Sequence, residues 1–171
     1  LGKMHRDGDD AAAMAMTPAA NFGEARRLLG LAAAQGDAEA QHTLGCMHYC
    51  GEGGPKDLAE VRRLLGLAAA QGHANAQCKL GHMHRDGDGG SEDFAEARRL
   101  YGQAAAQGHA VAQKELGCMH HVGQGGPVDF AETRRLLGLA AAQGHAPAAY
   151  ARRHAPRRQR WAERLCRGKA A

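Results

Sequence analysis

Aromatic residues are scarce: three Phe, three Tyr and one Trp make up 4% of 171 residues. A globular domain of this length normally carries more large rings in a central core. The scarcity fits a chain whose core is built piecewise, between neighbouring units. Long apolar runs are also missing. No stretch approaches the roughly 20 apolar residues of a membrane span. The usual catalytic signatures are absent: there is no Gly-x-Ser-x-Gly, no His-Glu-x-x-His and no P-loop lysine. Glycine-rich stretches such as Gly51-Glu52-Gly53-Gly54 lack the Lys-Ser/Thr of a phosphate cradle and recur as connectors, so they read as turns. The cysteines are Cys46, Cys50, Cys78, Cys118 and Cys166, an odd number with no pair common to every unit. A secreted array stapled by disulfides would repeat such a pair. Reduced thiols and a cytoplasmic location are therefore expected.

What is present is a period. Ala-Ala-Ala-Gln-Gly recurs at 32–36, 68–72, 104–108 and 140–144, spaced 36 residues apart. Arg-Arg recurs at 26–27, 62–63, 98–99 and 134–135, and Met-His at 47–48, 83–84 and 119–120. A fixed period in this range marks an array of like supersecondary units. Leu1-Gly2 and Met4-His5 match the end of a unit, and no initiator Met precedes them. The sequence thus reads as a piece of a longer array that opens inside a repeat.

Each unit splits into two helical patterns. In the second, here helix B, Asn21, Asp57, Asp93 and Asp129 stand three residues before Glu24, Glu60, Glu96 and Glu132, a capping-box spacing. Helix B runs to Gln35, Gln71, Gln107 and Gln143, and Gly36, Gly72, Gly108 and Gly144 follow as left-handed C′ residues. In the first pattern, helix A, Ala40, Leu44, Met47 and His48 share a face. Gly51, Gly87 and Gly123 end it. Gly45, Gly81 and Gly117 lie inside helix A, where glycine costs about 1 kcal/mol relative to Ala. Their recurrence predicts that helix axes cross closely there.

One copy reads Ala74-Asn75-Ala76-Gln77-Cys78-Lys79-Leu80-Gly81, then Gly87, Asp93, Ala97, Ala104-Ala105 and Gln107-Gly108-His109. This run resembles the Sel1-like repeat family, a relative of the tetratricopeptide repeat, and the match extends over nearly all of 21–151. The chain departs from the family where its helix A Tyr is His48, His84 and His120. It departs again where the family Trp-Tyr of helix B is Leu28-Leu29, Leu64-Leu65, Leu100-Tyr101 and Leu136-Leu137. The resemblance implies an α-solenoid that acts as an adaptor or scaffold, with no universal partner. The fold read from the sequence is all-α: a right-handed α-α superhelix of about four helical hairpins over residues 1–151, with a partial repeat at 1–20.

Comparing the copies with one another isolates a variable stripe on helix A. It comprises Glu39, Asn75 and Val111; His42, Cys78 and Lys114; Thr43, Lys79 and Glu115; Cys46, His82 and Cys118; and Tyr49, Arg85 and His121. These positions share a helical side away from the Ala40–Leu44–Met47–His48 stripe. In related solenoids helix A lines the concave face. The stripe is therefore read either as the surface that recognises a protein or peptide partner, or as solvent-exposed positions free to drift. The Arg pairs also admit two readings: intrahelical pairing with Glu three residues earlier, or a ladder of guanidinium forks for an acidic peptide. His48, His84 and His120 are expected as buried neutral imidazoles in the family Tyr slot. Cys-x-His and His-x-His stretches such as Cys46-Met47-His48 are poor chelates, because residues two apart on a helix point in different directions. Neither metal nor cofactor is expected.

The net charge of +4 is unevenly placed. Eight of the 22 Lys and Arg, but one of the 18 Asp and Glu, fall in 152–171, leaving the rest of the chain with 14 basic and 17 acidic residues. The tail, residues 152–171, suggests a capping helix around Trp161 and Leu165, a disordered end, a nuclear-targeting cluster, or a nucleic-acid or membrane-surface arm. The expected function is a non-enzymatic scaffold holding a partner on the concave helix A face. The alternative is binding through the Arg-rich tail.

Overall fold

The computed structural model describes residues 18–144. Among them are seven helices and no strand: α1 (Pro18–Ala34), α2 (Ala38–Cys50), α3 (Leu58–Ala70), α4 (Ala74–Asp86), α5 (Phe94–Ala106), α6 (Ala110–Val122) and α7 (Phe130–Ala142). The odd-numbered helices are the B pattern and the even-numbered the A pattern. Each helix packs on the next in sequence. The result is an all-α solenoid in which neighbouring units supply the core for one another.

The B helices start largely as their sequence predicts. Asp57 and Asp93 accept the backbone N–H of Glu60 and Glu96, and Asp129 accepts those of Ala131 and Glu132. The other half of the capping box is not formed. Glu60, Glu96 and Glu132 instead take bidentate bonds from Arg63, Arg99 and Arg135, at 2.6–2.8 Å. A guanidinium fork one turn away offers two charge-assisted bonds where the cap offers one. Asn21 is not a cap either, since α1 begins three residues earlier, at Pro18, and proline suits a first helical position.

The B helices end in Schellman turns. The Gly72 and His73 N–H groups reach Ala69 and Ala68 O, and Gly108 and His109 do the same to Ala105 and Ala104. Gly72 and Gly108 sit at φ +87° and +86°, where glycine is nearly free of cost. The next residue immediately caps the following A helix. Asp37 accepts from Ala40 N, and His73 and His109 accept through Nδ1 from Ala76 N and Ala112 N. One turn thus closes one helix and opens the next.

The core is thin and sets alanines against leucines and methionines, among them Leu64, Leu65, Met83, Leu100, Met119 and Leu136. Val61, Ala68, Ala76, Ala97, Tyr101, Ala104, Ala112 and Ala140 are fully enclosed. The close crossing expected at the helix A glycines is present. A Cβ on Gly45 would lie 3.3 Å from Leu65, on Gly117 3.1 Å from Leu137, and on Gly81 2.8 Å from the Tyr101 ring. The bare backbone of each A helix receives a side chain of the following B helix.

Candidate functional site

Two of the recurring residues prove structural. Gln41, Gln77 and Gln113 are buried in the A helices. Each donates to the preceding B helix, at Ala33, Ala69 and Ala105 O. Each also accepts from the following one, through Gln71, Gln107 and Gln143 Nε2 at 2.8–2.9 Å. This relay ties three consecutive helices and satisfies a buried amide. Sequence reading passed over it, although a glutamine held at every copy of an apolar face was a visible signal.

The first arginine of each of the first three Arg pairs closes the other end of the unit. Arg26, Arg62 and Arg98 Nη2 donate to Nδ1 of His48, His84 and His120 at 2.5, 3.1 and 2.7 Å. They also reach loop carbonyls at Pro55, Ser91 and Pro127. A Cβ at Gly54, Gly90 or Gly126 would strike these guanidinium groups, so glycine there makes room for the clamp. The three histidines are half-buried, not core residues as expected from the family Tyr slot. They sit at the edge of the bundle because the arginine claims their ring nitrogens. Burial first, and the adjacent guanidinium second, hold their pKa values below the ordinary one. The second arginines, Arg27, Arg63, Arg99 and Arg135, are exposed and paired with Glu24, Glu60, Glu96 and Glu132. The intrahelical reading of that ladder thus holds.

The variable stripe lies along α2, α4 and α6. Glu39, Tyr49 and Asn75 are exposed. His42, Thr43, Cys46, Lys79, His82, Arg85, Val111, Lys114, Glu115 and His121 are partly buried. Cys78 and Cys118 turn into the core at 4% and 7% exposure, and burial pushes the Cys78 thiol up to about 12.

Consecutive A helices bring the stripe residues together. Lys79 Nζ lies 3.4 Å from Cys46 Sγ and 5.7 Å from the centre of the Tyr49 ring. One unit on, Arg85 Nη1 donates to Glu115 Oε2 at 2.7 Å, and His82 Nε2 lies 4.0 Å from Glu115 Oε1. The same positions meet at both junctions, with different chemistry. A cation rests between thiol and ring at one, and a carboxylate between imidazole and guanidinium at the other. At each junction the facing stripe residues are in contact with one another. Burial opposes charge on both Arg85 and Glu115. Asp86 and Glu115 nevertheless hold Arg85 protonated, and Lys114 and Arg85 keep the Glu115 pKa below the usual range. Tyr101 packs beneath this group, edge-on to His82, with its hydroxyl buried and unpartnered.

Comparison with known proteins agrees with this architecture. A family model described as Sel1 repeat matches residues 1–37, 38–73, 74–109 and 110–145. The chain belongs to the Sel1 repeat family. Among solved structures, it is similar to c5321, a protective antigen of uropathogenic Escherichia coli with an SLR fold (TM-score 0.67, 38% identity, covering 70% of this chain and 26% of that one). It is also similar to a Sel1 repeat protein from Oxalobacter formigenes (TM-score 0.67, 34% identity, covering 71% and 92%). The Sel1 chain described here therefore spans about a quarter of the first and most of the second. No curated protein matches it. Sel1 repeat proteins generally mediate protein–protein interactions, and the Sel1 fold is typically a non-catalytic scaffold. No helix among the described residues is long and apolar enough to cross a membrane. The basic tail at 152–171 lies outside the described residues.

Proposed function

We propose that this Sel1 array is a protein–protein interaction scaffold that holds a peptide or protein partner along the stripe of its A helices, on the concave face. The observation that supports this most is that stripe residues of successive A helices meet at both junctions. Lys79 meets the Tyr49 ring across the first junction, and Arg85 donates to Glu115 across the second. They set a cation on a ring at one junction and a cation on a carboxylate at the next, across three A helices. Side chains paired in this way before a partner arrives lose less entropy on binding. Glu39, Thr43, Asn75, Val111, Lys114 and His121 border these pairs. Cys78 and Cys118 contribute only from the core side.

Selection from a peptide library gives a defined ligand for the test. Replacing Tyr49, Arg85 and His121 with Ala together is expected to weaken that ligand at least about tenfold, since truncated aromatic and Arg anchors carry much of an interface. Unchanged affinity in the folded triple variant refutes the proposal. Truncation after Ala151 is expected to leave binding intact. Loss of binding on truncation assigns it to the Arg-rich tail.

A further inference from the structure

We propose that Glu39, His42 and His73 form a binding site for one divalent transition-metal ion of the zinc type, built across the junction of two repeats. The proposal goes beyond the partner-binding reading and stands without it. Glu39 and His42 are three residues apart on α2, hence on one side of it. His73 is the residue that caps α4. Their ligand atoms all lie within 4.8 Å of one another. His73 Nε2 meets Glu39 Oε2 at 2.8 Å, His42 Nδ1 lies 3.9 Å from Glu39 Oε1, and the two imidazoles stack with centroids 4.8 Å apart.

The atom that points to a ligand is His42 Nδ1, which is buried and has no hydrogen-bond partner. The other nitrogen of the ring, Nε2, lies 3.6 Å from Cys46 Sγ. An Nε2–H held by that sulfur leaves the Nδ1 lone pair directed at Glu39. Metal-binding histidines are commonly oriented this way, with the second ring nitrogen tied to a neighbour. Two imidazoles and a carboxylate suit zinc, with water in the fourth position.

Bonds of about 2.0–2.2 Å require the three groups to draw together. The Glu39 side chain, 73% exposed, is free to turn inward. His73 accepts the Ala76 N–H through Nδ1 at 3.2 Å, so its proton resides on Nε2. An ion at Nε2 displaces that proton. The proton passes to Nδ1 by way of water, and the long cap bond from Ala76 is given up.

The corresponding places at the next junction are Asn75, Cys78 and His109, and at the one after they begin with Val111 and Lys114. Neither repeats the set, so one ion is expected among the described residues. The spacing rule that dismisses Cys-x-His within a helix does not reach this site, because its third ligand comes from the following repeat.

Titration of the whole chain with zinc, in competition with a chromophoric chelator, tests the proposal. One equivalent should bind. Glu39→Gln and His42→Gln, each shown helical by circular dichroism, should weaken binding by more than about tenfold, the scale even outer-shell losses reach. Asn75→Ala, at the neighbouring junction, should not change it. The cobalt(II) form should show visible ligand-field bands without sulfur-to-cobalt charge transfer. Zinc binding that survives both Glu39→Gln and His42→Gln, or a thiolate charge-transfer band, overturns the assignment.

Discussion

The glycines inside the helices make opposite predictions for one and the same substitution. In the middle of a helix, Gly→Ala gains about 1 kcal/mol from the backbone alone. At Gly102 in α5 a new methyl meets nothing within 4 Å, so that gain is kept. At Gly45 the methyl lies 3.3 Å from the end of Leu65. A leucine can shift by a few tenths of an ångström, so gain and strain nearly cancel. At Gly81 the methyl lies 2.8 Å from Tyr101 Cε1 and 3.0 Å from Cδ1. That ring is enclosed on all sides and cannot step back. Overpacking costs about 1–3 kcal/mol, and a contact under 3.0 Å with a ring that cannot move belongs at the upper end, about 2–3 kcal/mol, which outweighs the backbone gain. Urea denaturation followed by circular dichroism should place Gly102→Ala about 0.5–1 kcal/mol above the parent. Gly45→Ala should fall near it, and Gly81→Ala about 1–2 kcal/mol below. In a Tyr101→Leu background the Gly81→Ala penalty should shrink, giving a coupling of about 1 kcal/mol or more. A Gly81→Ala protein as stable as its parent would refute the claim that glycine serves close approach there.

Two further outcomes follow from the clamps. Because His48, His84 and His120 are held below the ordinary histidine pKa, folding favours their neutral form. Stability is then full above about pH 6.5 and is lost as the pH falls through that value toward the folded pKa. The Tm should be lower at pH 5.5 than at 7.5, and replacing all three with Gln should flatten the difference; an equal slope in that variant counts against the clamp. Gln77→Leu breaks the relay between Ala69 O and Gln107. It should cost about 1–3 kcal/mol by urea denaturation, and an unchanged midpoint would show that the amide relay adds nothing.

The sequence alone determined the unit, its two helices and their order. The period of 36, the Asp before the last three B helices and the Gly after each B helix are local signals, and local chemistry answers to them. The helix A glycines even announced a close crossing, because a costly residue repeated in place implies a neighbour. Tertiary structure decided what the repeated polar residues do. Arg26 and Arg27 are adjacent letters, yet one turns to His48 and the other to Glu24, a choice made by the helix packed beside them. The same holds for the variable stripe. Cys46, Tyr49 and Lys79 look unrelated along the chain, and only stacking one A helix on the next sets a cation against sulfur and ring. Contacts within a turn are written in spacing, whereas contacts 22 to 36 residues apart exist only once the units lean together.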